Sequence, residues 1–119
     1  MADESFRIVV RMRIQPGQRD AFERQIRALT AGVAAAEPGT RAYEWYVSAD
    51  GAACYFHEWL ASSEAFMAHL THVGPALPPL YAVAPITQAL VFGDPSAAVK
   101  EALAGFAPEY FPRADGFTR

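Results

Sequence analysis

The chain predicts a single α+β domain whose elements run β-α-β-β-α-β, and three features of the sequence predict it. Residues 6–14 alternate strictly, with Phe6, Ile8, Val10, Met12 and Ile14 on one side and Arg7, Val9, Arg11 and Arg13 on the other, the period of a strand. Two stretches instead repeat at helical spacing: Phe22, Ile26, Leu29 and Val33, then Phe66, Leu70 and Val73. Between them lie two strand-like runs separated by Ala49-Asp50-Gly51, turn chemistry suited to a hairpin.

Pro16-Gly17 ends the first strand, and Arg19, Asp20, Glu23, Arg24 and Arg27 give the first helix its solvated side. Pro38-Gly39 stops that helix. The second strand, at about 41–47, is rich in aromatics, and the third covers about 53–60. Ser62 is placed to cap the second helix, its hydroxyl accepting from a first-turn N–H. Gly74-Pro75 and Pro78-Pro79 restrict the next segment to a short turn of helix around 77–81. A fourth strand at 86–92 completes a ferredoxin-like four-stranded antiparallel sheet. Asp94-Pro95 reads as an N-cap with proline at the first helical position, and Val99, Leu103 and Phe106 continue as a third helix. The tail at 107–119 carries Tyr110, Phe111 and Phe117, so it is expected to pack over its own pocket or over a partner subunit. Residues 1–92 are thus the core domain, and 93–119 a C-terminal helix and aromatic tail packed on the same domain.

With 119 residues there is enough chain for one core and no second. Apolar residues at 52% against 19% charged place it among chains that fold. A net charge of -3 offers no basic surface for nucleic acid, and no apolar run approaches the ~20 residues of a membrane span. Residues 1–5 are acidic and lack signal-peptide character, and the single Cys54 fits a reducing compartment, so a cytoplasmic location is expected. Cys54 itself reads as a small buried hydrophobe. Eight Phe, five Tyr and two Trp suit an aromatic core or a pocket for an aromatic ligand equally well. No phosphate loop, dinucleotide fingerprint or zinc-spaced cluster occurs, so neither cofactor nor metal is expected.

Two helices on one face of a four-stranded sheet leave the other face bare. The third strand carries apolar groups on both faces, with Cys54 and Phe56 opposed to Tyr55 and Trp59, and the first presents Arg7, Arg11 and Arg13. A homodimer joined sheet to sheet, with Glu44 or Glu58 pairing those arginines, is the expected solution.

Glu58-Trp59 at a strand end, Ser62, Ala65-Phe66 and His69 form a run that resembles the signature of the antibiotic biosynthesis monooxygenase family. Pro16-Gly17-Gln18 and Ala68-His69-Leu70 extend the resemblance, which covers about the first 92 residues. It implies a dimeric α+β barrel with a hydrophobic pocket between sheet and helices. It also implies, for several members, oxidation of phenolic substrates by O2 without a cofactor.

The resemblance further places Trp59 in that pocket, and strand parity then carries Tyr55 and His57 with it. Val10, Met12, Phe66 and Tyr81 complete the expected substrate lining. His57 is the first candidate base and His69 the second, since an imidazole titrating near neutrality can remove a phenolic proton. The plainer reading of each, and more so of His69, is a core residue satisfying one hydrogen bond. His69, His72 and Glu64 share a helix and could approach a metal, but no further ligand supports one. Tyr55 and Phe66 stand where anthrone-oxidising members look to an Asn and a Tyr. Val10 and Pro78-Pro79 stand where haem-degrading relatives have an Asn and an axial His, so haem cleavage is not expected. The expected function is cofactor-independent oxidation of a small aromatic or polyketide-like quinol with O2. A polyketide cyclase or other acid–base enzyme on the same fold, and a non-catalytic small-molecule-binding barrel, are the alternatives.

Overall fold

The structure, a computed structural model, describes residues 3–119. Strand β1 (Phe6–Arg13) leads to helix α1 (Arg19–Ala36), then β2 (Thr40–Val47), β3 (Ala53–Leu60) and α2 (Ser63–Val73). A 3-10 turn at Gly74–Ala76 runs into α3 (Leu77–Val83), followed by β4 (Ile86–Phe92), α4 (Ala97–Leu103) and a short β5 (Glu109–Phe111). The sheet order is β2-β3-β1-β4-β5, with the first four strands antiparallel. This is the expected ferredoxin-like α+β core with one addition. Strand β5 pairs in parallel with β4 through Leu90, Val91 and Phe92. Its three residues are too few to show an alternation in sequence.

The alternation of β1 decides the core. Phe6, Ile8, Val10 and Met12 are all buried, and their register partners on β3 are Leu60, Glu58, Phe56 and Cys54. Paired residues of neighbouring strands share a face, so these eight side chains point together toward the helices. Helix α1 seals one end with Phe22, Leu29 and Val33, and α2 contributes Phe66, His69 and Val73. Fully burying a large apolar side chain is worth roughly 1.5–3 kcal/mol, so this layer carries most of the fold's stability.

Ser62 caps α2 as expected, its Oγ accepting from the Ala65 amide at 3.1 Å. Helix α4 starts later than Asp94-Pro95 suggested: Ser96 is its N-cap and receives the Val99 amide. The Asp94 carboxylate instead takes a hydrogen bond from Lys100 Nζ at 3.0 Å. In the tail, Tyr110 is half-buried against the core, whereas Phe117 is 76% exposed.

Gly39 has a specific role in placing the site. A Cβ on it would stand 2.7 Å from the Ala65 Cβ, so only glycine lets the α1–β2 connection lie directly on α2. That close approach brings Glu37, two residues earlier, against the α2 face that carries His69 and His72. Among the described residues no helix lies over the opposite face of the sheet. That face presents Arg7, Val9, Arg11, Tyr55, His57 and Trp59, with Arg7 stacked 4.4 Å and Arg41 5.1 Å from the Trp59 ring centroid. Among the described residues no helix is long and apolar enough to cross a membrane.

Candidate active site

A cavity of ≈ 80 Å³ lies between the sheet and helices α2, α3 and α4. Val10 and Met12 form its floor with Phe56, and Phe66, Leu80 and Tyr81 its helical wall. Ala102, Leu103, Phe106 and Pro108 close it from the C-terminal segment, where Phe106 meets Tyr81 edge-on at 5.8 Å. A buried volume of this size is below the roughly 300–1,000 Å³ of a drug-sized pocket. As it stands it admits only a small ligand, with Phe106 and Pro108 among the residues that enclose it.

The polar content of this apolar space is concentrated in Glu58 and His69, 5% and 4% exposed. Glu58 Oε2 lies 3.4 Å from His69 Nε2, within ion-pair reach. The geometry does not make a hydrogen bond, and Oε2 is left buried without a hydrogen-bonding partner. On the other side of the ring, His69 Nδ1 is 2.7 Å from Glu37 Oε1. Glu37 in turn holds His72 Nδ1 at 2.6 Å and accepts from Thr40 Oγ1 at 2.7 Å.

These neighbours set the protonation states. Burial alone would pull the His69 pKa down, but Glu58 and Glu37 on either side overcome it and hold the value above the ordinary 6.5. Burial would push the Glu37 carboxyl up, yet hydrogen bonds from His72 and Thr40, with the charge and hydrogen bond of His69, bring it below 4.5. The imidazole is therefore favoured as the cation between two carboxylates. Tyr81 is pushed up to about 12 by burial and then by the Glu58 charge, and Tyr43 is raised further by the same two causes and by Glu37. Both phenols stay neutral and can act as hydrogen-bond donors.

Of the residues expected at the site, Val10, Met12, Phe66, His69 and Tyr81 line this cavity together. Tyr55, His57 and Trp59 do not. The register Val9↔His57 and Arg7↔Trp59 puts them on the open face, with the thickness of the sheet between His57 and His69. His57 packs edge-on against Tyr46 at 5.4 Å. The expectation that His57, Trp59 and His69 meet at one cavity is thereby corrected. The parity was anchored on Trp59, whereas the all-apolar side of β1 belongs with Cys54, Phe56 and Leu60.

Glu58 is corrected in the same way, since it faces the helices and His69 and not the arginines. Sequence reasoning passed over Glu58, Glu37 and Tyr43 as site residues. The available signal was Glu58 itself, a lone carboxylate in step with Cys54, Phe56 and Leu60. His69 and His72 converge on Glu37 instead of Glu64, and among the described residues no three His, Cys, Asp or Glu side chains form a metal site.

Comparison with known proteins places this geometry. MupZ from Pseudomonas fluorescens superposes with a TM-score of 0.86 at 18% identity, covering 98% of this chain and 95% of that one. The match therefore includes the C-terminal helix and tail. Rv0793 from Mycobacterium tuberculosis gives 0.66 at 23% identity, over 79% of this chain and 98% of that one. A variant of SnoaB, a cofactor-independent oxygenase from Streptomyces nogalater, gives 0.65 at 18% identity, over 79% and 96%. At these identities the likeness is one of fold. No functionally curated protein matches the sequence. The sequence profile described as antibiotic biosynthesis monooxygenase matches residues 5–74, more than half of the chain. The chain belongs to the antibiotic biosynthesis monooxygenase family.

Proposed function

We propose that this protein is a cofactor-independent monooxygenase of a small aromatic or polyketide-like substrate, and that Glu58 starts the reaction by removing a substrate proton. The observation that carries the reading is Glu58 Oε2: a buried carboxylate oxygen without a hydrogen-bonding partner, at the wall of an apolar cavity and backed by His69. An acceptor left unsatisfied in such a place is costly, and a substrate O–H or acidic C–H would satisfy it. His69 Nε2, 3.4 Å from Glu58 Oε2, backs that carboxylate with the second titratable group of the cavity. Tyr81 and Tyr43, kept neutral, donate to the oxygen on which the substrate's negative charge develops. The electron-rich anion then reacts with O2. For an activated methylene, one oxygen atom ends as the new carbonyl and the other leaves as water with the two methylene hydrogens, so the substrate supplies all four electrons.

A second reading has its own support. Base and neutral acid lie in one cavity, which is all that a ring-closing or other proton-transfer reaction requires, with no part for O2. The two separate in one assay. Oxygen uptake and product mass are followed with a panel of anthrones and hydroquinones, for the parent protein and for Glu58→Gln. The monooxygenase reading expects one O2 consumed per product and a ~10²–10⁴-fold loss of turnover in the variant, the usual range for a positioned base. Product without O2 uptake selects the acid–base reading, and tight binding with no conversion selects a binding barrel.

The open sheet face supports a homodimer. Val9 and Trp59 lie there at intermediate exposure, beside the exposed Arg7 and Arg41 that stack on the Trp59 ring. A second copy would cover this face and close the barrel.

A further inference from the structure

We propose that Glu58 Oε2 and His69 Nε2 form a clamp for one hydroxyl group, so that the ligand of the cavity is a small apolar molecule carrying an O–H. This deepens the reading of Glu58 as the group that meets the substrate, and rests on it. The O–H belongs to a phenol, an alcohol or the enol form of an activated methylene compound.

The two groups are complementary in hydrogen bonding. Both line the cavity, and Glu58 and His69 are only 5% and 4% exposed. An ionised carboxylate only accepts, and an imidazolium only donates. Each ring nitrogen of His69 faces a carboxylate oxygen, Nδ1 at 2.7 Å from Glu37 Oε1 and Nε2 at 3.4 Å from Glu58 Oε2, so the ring carries a proton at both ends. The second separation is too long for a good hydrogen bond, and Oε2 has no hydrogen-bonding partner among the described residues. A hydroxyl oxygen about 2.7–2.9 Å from Nε2 and about 2.5–2.7 Å from Oε2 closes a triangle on that 3.4 Å side, accepting from the ring and donating to the carboxylate. A carbonyl or ether oxygen only accepts and leaves Oε2 unsatisfied, whereas an ammonium only donates and leaves Nε2 so. A hydroxyl serves both.

Both sides of the clamp are held from behind. Glu58 leaves β3 between its register partners Ile8 of β1 and Tyr43 of β2, which places its carboxylate on the buried face. The His69 ring is tied at Nδ1 to Glu37, which in turn accepts from Thr40 Oγ1 at 2.7 Å and contacts His72 Nδ1 at 2.6 Å. Tyr43, edge-on at 5.5 Å, and Phe66, at 6.2 Å, flank the imidazole. Turning the ring over would break the bond to Glu37, so Nε2 stays directed at Glu58. A donor and an acceptor fixed in this way lose little freedom when a ligand arrives. Around them Ile8, Val10, Phe56 and Leu80 are apolar, so the remainder of the ligand gains by burial.

In the reaction proposed above the O–H bond breaks, its proton goes to Glu58 Oε2 and its electron pair stays on oxygen. The Nε2–H keeps its bond to that oxygen and stabilises the new anion.

Phenol and toluene, alike in shape and differing in O–H against CH3, are the probes. They are titrated by NMR into protein labelled at histidine nitrogen. The clamp predicts that phenol binds about 10- to 100-fold more tightly than toluene, the worth of hydrogen bonds to charged groups, and moves the His69 Nε2 signal further. Glu58→Gln and His69→Gln each put a neutral amide of similar reach in place of a charged group, and each should lower that preference by about 5- to 10-fold. Equal affinity for the two probes, the behaviour of a cavity whose polar groups are served by water, overturns the clamp. Binding of neither probe overturns it as well, as does a preference that survives undiminished in both variants. Preference for phenol alongside full turnover in Glu58→Gln would support the clamp and remove Glu58 as base. Lost turnover in Glu58→Gln with equal binding of phenol and toluene would keep the base and remove the clamp.

Discussion

Replacing Glu37 with alanine should cost about 3–5 kcal/mol of stability near pH 5.5, although Glu37 lies outside the cavity lining. Glu37 accepts three hydrogen bonds, and they contribute unequally. The one from His72 involves a ring 42% exposed, where an ion pair is worth about 0–1 kcal/mol. That from the Thr40 hydroxyl adds about 1 kcal/mol. The largest share belongs to His69, whose side chain is 5% exposed and whose charge loses one of its two carboxylates. Breaking a buried pair costs about 3–5 kcal/mol, and Glu58 on the remaining side holds the result toward the lower part of that range. In a chain of this length 1 kcal/mol moves Tm by about 4 °C, so Tm should fall by roughly 12–20 °C.

The pH dependence has a definite sign. The His69 pKa is raised in the folded state, so its contribution is complete below the unfolded value of 6.5 and fades as pH rises through the folded one. The Glu37 pKa is lowered, so its contribution is complete above 4.5 and fades as pH falls through its folded value. The difference between parent and Glu37→Ala is therefore largest from about pH 4.5 to 6.5 and shrinks toward pH 9. Urea unfolding followed by circular dichroism at pH 5.5 and pH 9 measures both. A difference below about 1 kcal/mol at pH 5.5, or one that grows with pH, would refute the assignment of His69 as a buried cation held by Glu37.

Three further outcomes are expected. His57→Ala should leave turnover and cavity binding unchanged, because His57 lies across the sheet from the cavity; a large loss of kcat would return it to the site. Truncation after Gly105 removes Phe106 and Pro108 from the cavity cover along with β5. It should weaken ligand binding measured by calorimetry and lower stability by about 1–3 kcal/mol, and identical affinity and Tm would show that the tail covers nothing of consequence. Light scattering at micromolar concentration should give the mass of a dimer, and Val9→Glu, which buries a charge at the centre of the open face, should give monomer; a monomeric parent protein counts against the dimer.

The sequence by itself determined the elements and their order, because those depend on local periodicity and punctuation. Strict alternation in 6–14 made β1 and its buried side certain, Ser62 marked the start of α2, and residues 86–92 matched β4 to the residue. Where local signals competed, it was less secure: Asp94-Pro95 imitated a cap that Ser96 supplies, and the three residues of β5 left no periodic trace.

The tertiary structure alone decided which face of β3 looks inward and what His69 touches. Tyr55, His57 and Trp59 alternate as well as Cys54, Phe56, Glu58 and Leu60 do, and a two-residue period cannot say which set faces the helices. The pairing Ile8↔Glu58 settles it by giving Glu58 to the apolar side of β1. Glu37 reaches His69 across 32 residues of chain because Gly39 lets a loop rest on α2, a contact between distant segments that no local pattern encodes. Burial then makes the difference between two histidines. His57 is exposed on the open face of this chain and packs on Tyr46, whereas His69 is enclosed by carboxylates in an apolar surround, where charge interactions are strongest.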